Sequence, residues 1–102
     1  HMSQTYSHDL LTSVDSTVTG DAATHQDNVS RRSFYVSSVG AMTATLKLEV
    51  SPDASGDTWF EAASITTVGV TTTDVICKRI RARVSAWTAG VLTCKMVAMA
   101  SA

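Results

Sequence analysis

Alternation with a period of two, not helical spacing, organises this chain from its middle to its end. From Thr43 to Val50, Ala44, Leu46, Leu48 and Val50 fall on one side, and Thr43, Thr45, Lys47 and Glu49 on the other. Successive side chains of an extended chain point oppositely, so this pattern predicts a strand with one dry and one wet face. From Arg79 to Trp87, Ile80, Ala82, Val84 and Ala86 oppose Arg79, Arg81, Arg83, Ser85 and Trp87. From Val91 to Met99, Leu92, Cys94, Met96 and Ala98 oppose Val91, Thr93, Lys95, Val97 and Met99. Both of those faces are fairly apolar, which predicts a strand that is central or covered by a partner chain.

Turn chemistry separates the runs. Ser51-Pro52-Asp53-Ala54-Ser55-Gly56-Asp57 reads as a loop, with Pro to fix φ, Gly for positive φ, and Asp and Ser to bond the backbone. Thr88-Ala89-Gly90 has the length of a tight hairpin turn between the last two strands. Val39-Gly40-Ala41 links a strand near Phe34–Ser38 to the Thr43 strand. Weaker strands are predicted over Trp59–Ile65 and Val70–Cys77, separated by Thr67-Val68-Gly69. His1-Met2 reads as a cloning scar, residues 3–30 as an N-terminal arm or short strands near His8–Val14 and Ala22–Thr24, and residues 31–102 as the body of a single domain. The sum is all-β: an antiparallel β-sandwich or jelly roll of about six to eight short strands.

Composition agrees with strands and narrows the functions. Among 102 residues there are 13 Ser, 15 Thr and 12 Val but one Pro, where a helical protein would favour Leu, Glu, Lys and Ala. Lys+Arg 8 against Asp+Glu 9 leaves a formal charge of −1, which argues against nucleic acid as a partner. No apolar run approaches the ~20 residues of a helical membrane span, and no membrane partner is expected.

Candidate chemistry is sparse. Cys77 and Cys94 match no zinc spacing and read as two buried thiols, with a bridge between neighbouring strands left open. No Gly-x-Ser-x-Gly elbow occurs, and His8 and His25 sit in the polar N-terminal third as surface histidines. No catalytic residue, cofactor or metal is expected, and the chain does not read as an enzyme. Arg79, Arg81 and Arg83 must share one strand face and would repel unless neutralised. The alternatives are cross-strand pairing with Glu49 and Glu61, a protein contact, or a nucleic-acid stripe. Trp59 follows the polar loop and is expected to plug one end of the sandwich. Trp87, on the arginine face, is the better interface residue.

Two stretches carry a family resemblance. Leu46-Lys47-Leu48-Glu49-Val50-Ser51-Pro52-Asp53, followed by Gly56-Asp57-Thr58-Trp59, resembles the strand, Ser-x-Asp-Gly, Trp module of small bacteriophage virion structural proteins. Lys78-Arg79-Ile80-Arg81-Ala82-Arg83-Val84, running on through Trp87 and Gly90 to Thr93, resembles the ending of that module. The likeness spans roughly Ser33 to Ala98, and the Asp-Gly step is widened here to Asp53-Ala54-Ser55-Gly56-Asp57. It implies a β-sandwich serving in the virion, assembled in the host cytoplasm, as a capsid decoration or cement protein. Its partners would be itself, as a homotrimer, and the major capsid protein. A fibre or tail domain binding host surface glycan is the alternative, with Trp87 and Tyr35 as its shelf. Arg79, Arg81, Arg83, Trp87, Val97 and Met99 are the expected protein-interface residues, and Tyr6, His8, Leu10 and Leu11 the expected capsid attachment.

Overall fold

Seven strands follow one another in the computed structural model, which describes residues 4–24 and 29–100. They are β1 (Gln4–Val14), β2 (Val18–Thr19), β3 (Ala23–Thr24), β4 (Val29–Ser51), β5 (Phe60–Ile65), β6 (Gly69–Thr73) and β7 (Arg79–Ala100). Every pairing is antiparallel, and no helix crosses or covers the sheet among the described residues. The His1-Met2 scar and His25 lie outside the described residues.

β4 and β7 set the architecture. They pair along their whole length, from Val29 opposite Ala100 to Ser51 opposite Arg79. At about 3.3 Å per residue, 23 residues would extend roughly 75 Å, yet the longest dimension of the molecule is 43 Å. The ribbon therefore doubles back. It does so where both strands carry glycine at positive φ, Gly40 at 81° and Gly90 at 107°, and where the register shifts between Val39 and Leu46. From Val39 to Leu46 on β4 and from Val91 to Val84 on β7, each strand advances seven residues, so the irregularities cancel. Even-numbered positions face the core on both sides of the bend.

Two predicted boundaries are thereby corrected. Thr88-Ala89-Gly90 is not a hairpin turn, and Val39-Gly40-Ala41 does not separate two strands. Each is one half of the bend in a continuous pair. What reads as four short strands is two long ones, and the sheet folds on itself into an antiparallel sandwich.

One layer, from the start of β4 and the end of β7, is flanked by β6 and β1. The other, from the end of β4 and the start of β7, is flanked by β5 on one side and by β2 and β3 on the other. Phe34, Val36, Leu92, Cys94 and Met96 of the first layer and Leu46, Leu48, Ile80, Ala82 and Val84 of the second belong to one buried cluster. The connections at residues 15–17 and 66–68 cross between layers at the bend. Those at residues 52–59 and 74–78 lie at the opposite, open end.

β1 is part of this body. Its ladder with β7 is regular from Gln4 to Asp9, then slips between Asp9 and Leu11. The bulge turns two consecutive residues inward, and Leu10 and Leu11 are only 2% and 3% exposed. That corrects their expected role in capsid attachment: the chain's own core occupies both side chains. Gly20 closes the same region, with its N–H donating to Ala82 O at 2.9 Å.

Candidate functional site

The arginine strip is occupied from within the chain. Glu49 opposes Arg81 across the β4–β7 ladder. Arg81 Nε donates to Glu49 Oε1 at 2.8 Å and Arg83 Nε to Glu49 Oε2 at 3.0 Å. Burial by itself raises the Glu49 carboxyl, but the hydrogen bonds and positive charges of Arg81 and Arg83 outweigh it and hold the group below the usual carboxylate range. Glu61 does not join this cluster; it pairs with Lys47 at 3.0 Å. Of the three alternatives left by the sequence, the structure realises cross-strand pairing for Arg81 and Arg83.

Arg79 does something different. Its Nε donates to Asp53 O at 2.9 Å, and Nη2 donates to Gly56 O at 2.8 Å and to Ser51 Oγ at 3.2 Å. One planar guanidinium thus ties down the 52–59 loop. Trp59 lies over the same cations, its ring centroid 4.6 Å from the Arg79 guanidinium carbon and 4.1 Å from that of Arg81. Trp59 therefore does not plug the end of the sandwich; it roofs the outer face. Glu49, Val50 and Ser51 are consecutively buried because both sides of β4 are covered here.

Trp87 is also displaced from its expected place. Thr45 opposes Ala86 and Leu46 opposes Val84, leaving Ser85 as an extra residue. Beyond this bulge Trp87 opposes Ala44, and directly opposed side chains share a face. The indole is turned off the arginine face toward the mouth of the core at the bend. Its Nε1–H donates to Gly90 O at 2.9 Å, which fixes the ring with 37% of the residue exposed. A neutral open cleft of about 300 Å³ lies against it, lined by Met42, Ala44, Thr66, Ala86, Trp87 and Thr88 among others.

The outer face of the first layer carries the remaining expected interface residues. Val97 lies between Ser7 and Ser33, and Met99 between Thr5 and Arg31. Tyr35 lies between Val70 and Lys95 in the same sheet. Met99, Tyr35 and Val70 are exposed and Val97 half-buried, so the face mixes apolar side chains with hydroxyls and with the exposed charges of Arg31, Lys95 and Asp9. Tyr6 and His8 are exposed on the adjoining β1 edge, opposite the core-facing Ala98 and Met96 and so off the face that carries Val97 and Met99. Tyr35 and Trp87 stand on opposite sides of the bend and form no common aromatic shelf.

Both cysteines are free thiols. Burial pushes Cys94 up to about 12. Burial also raises Cys77, with the charge of Arg32 offsetting part of the effect. Neither is poised as a nucleophile at neutral pH. Among the described residues, no three His, Cys, Asp or Glu side chains gather where a metal ion could be held, and no buried side-chain N or O lacks a hydrogen-bond partner.

Arg32, a residue that sequence reasoning missed, is 2% exposed, and its Nη1 donates to Val75 O at 2.6 Å. Arg31, Arg32, Ser33, Thr72, Thr73 and Asp74 line an open cleft of about 440 Å³ beside it. A buried arginine inside an alternating Ser/Thr/Val strand has no local signal, because its acceptor is the crossover loop 43 residues away in sequence.

No family model and no curated protein matches this chain. Its fold is nevertheless shared with solved structures. The SPBc2 prophage-derived protein YomS superposes with a TM-score of 0.80 at 13% identity, covering 98% of this chain and 96% of that one. The PBSX exported protein XepA superposes with a TM-score of 0.81 at 17% identity, covering 98% of this chain. This chain spans 39% of the length of XepA, so there the same fold is one part of a longer protein.

Proposed function

We propose that this chain is a bacteriophage structural protein acting through surface contacts rather than turnover, in the virion as a capsid decoration subunit. The observation that carries the reading is the end-to-end sharing of its fold with a prophage-derived protein of nearly the same extent. The site chemistry is consistent with it: the ionised groups of the arginine face are spent on holding β4, β7 and the 52–59 loop together. The major capsid protein would meet the outer face of the first layer, through Val97, Met99, Tyr35 and Val70, with Tyr6 and His8 along the adjoining edge. Burying such apolar surface contributes ~25 cal/mol per Å² before ordering costs, and the gain is repeated at each copy on a shell. The subunit would act as a homotrimer, because a small domain gains buried area from cyclic symmetry. The glycan-binding alternative is less favoured, because its two expected shelf residues, Tyr35 and Trp87, stand on opposite sides of the bend.

The test is gold-labelled antibody against the chain, applied to particles released from cells carrying its phage genes. Labelling of heads is expected. Label confined to tails, or particles devoid of the protein, overturns the decoration role. Loss of binding to empty heads in Met99→Asp and Val97→Asp, with folding intact, would locate the contact on the first-layer face.

A further inference from the structure

The crossover at residues 74–78 presents an apolar side chain in a fixed position. Arg32 Nη1 grips Val75 O at 2.6 Å, Val75 N–H donates to Thr73 Oγ1 at 3.2 Å, and Lys78 N–H donates to Ser51 O at 2.8 Å. Cys77 packs against the core. Between these anchors Ile76 stands 91% exposed, the most exposed of the large apolar residues described. Holding the tip beforehand lowers the ordering cost of any partner that buries it.

At the other end of the molecule is its counterpart, the neutral cleft beside Trp87. Its lining holds no charged residue, so burying an aliphatic group there strands no ion. Trp87 is itself fixed by Gly90 O, and tryptophan, with tyrosine and arginine, is enriched among the residues that dominate protein contacts. Ile76 sits at the open end and the cleft at the bend of a body 43 Å long, so one copy cannot fill its own cleft. Asp74 and Lys78 flank Ile76 by two residues on either side and would remain at the wet rim of the contact.

We infer that Ile76 of one copy docks into the Met42–Ala44–Trp87 cleft of a second copy, head to tail. Such a contact is heterologous: it closes into a ring when the rotation per subunit allows and otherwise propagates. The inference rests on the reading of the chain as a self-associating structural subunit, and it supplies that subunit's own interface. It leaves the first-layer face free for the capsid.

Complementation tests it. Sedimentation velocity and native mass spectrometry of the full chain should show an oligomer at micromolar concentration. Ile76→Asp, which removes the knob, and Thr88→Arg, which charges the rim of the hole, should each weaken association tenfold or more while leaving the unfolding transition in place. Trp87→Ala serves as a second hole variant. Because Ile76→Asp keeps its hole and Thr88→Arg keeps its knob, mixing the two should give a one-to-one heterodimer that grows no further. An oligomer undisturbed by all three variants overturns this interface and leaves self-association standing. A wild-type monomer at high concentration overturns both, without touching the location of the protein on the particle. Failure of the mixture to heterodimerise overturns the pairing of Ile76 with this cleft.

Discussion

Glu49 is the residue on which the outer face of the second layer depends. Two arginines two positions apart on one strand repel, and a single carboxylate hydrogen-bonded to both converts that repulsion into a cross-strand tie. Glu49→Gln should cost about 1–2 kcal/mol at pH 7, a discounted figure because Arg83 is well solvated; urea denaturation measures it. The carboxyl is depressed in the folded chain, so its contribution is fully present above the ordinary carboxylate range and is lost as pH falls through the lower, folded-state value. The stability gap between wild type and Glu49→Gln should therefore be constant near neutrality and close in strong acid. A gap that persisted unchanged to low pH would refute the pairing.

Two glycines separate steric from conformational constraint. A Cβ at Gly20 would lie 2.1 Å from Leu10 O and 2.9 Å from Leu11 Cδ2, so backbone must move. Gly20→Ala should destabilise by about 3 kcal/mol, the upper range of overpacking. At Gly56 the added Cβ meets nothing within 4 Å but φ is +91°, and Gly56→Ala should cost only about 1 kcal/mol. Thermal unfolding of both variants ranks the two effects.

At the scale of elements, β1 decides whether the N-terminal third is an arm or part of the fold. Its regular half, Gln4 to Asp9, is an edge ladder on β7, while Leu10 and Leu11 reach into the core through the bulge. Leu11→Ala should cost about 2–4 kcal/mol, as deletion of buried methyls does, and amides of β1 that pair with β7 should exchange far more slowly than those of β2 and β3. Exchange of β1 at the rate of a free peptide would show an undocked arm. This docking was invisible to a strict period of two, because alternation cannot bury adjacent residues and only a bulge can. The same limit hid the turn of Trp87 toward Ala44, which follows from the extra Ser85. By contrast, the strands over Leu46–Val50 and Val91–Met99 were legible residue by residue, since the β4–β7 register is unbroken there. The pairing of Arg81 and Arg83 with Glu49 was legible as an alternative for the same reason.

At the scale of the molecule, the β4–β7 ribbon joins residues far apart in sequence. Val29 meets Ala100, and even the nearest rung joins Ser51 to Arg79. Loop closure must precede any reward from such contacts, so refolding should proceed in milliseconds to seconds rather than microseconds; stopped-flow tryptophan fluorescence measures it. Cys94 offers a second global readout. Its thiol is fully buried and pushed up to about 12, so it should resist alkylation at pH 8 until the sandwich opens. Cys77, half-buried on the crossover, should react first.

By itself, the sequence determined that the chain is made of strands, which side of its central strands faces the core, and that glutamate and arginine would share the other side. Those properties depend on the alternating direction of neighbouring side chains, a local rule that every extended residue obeys. Tertiary structure alone decided that Gly40 and Gly90 bend two long strands rather than end four short ones. A glycine at positive φ breaks a ladder in either case, and only the partner strand, bulged opposite it, carries the ladder through. It also decided that a buried Arg32 would hold Ile76 out at one end while Trp87 was fixed at the other, since both arrangements join residues through contacts that no stretch of sequence contains.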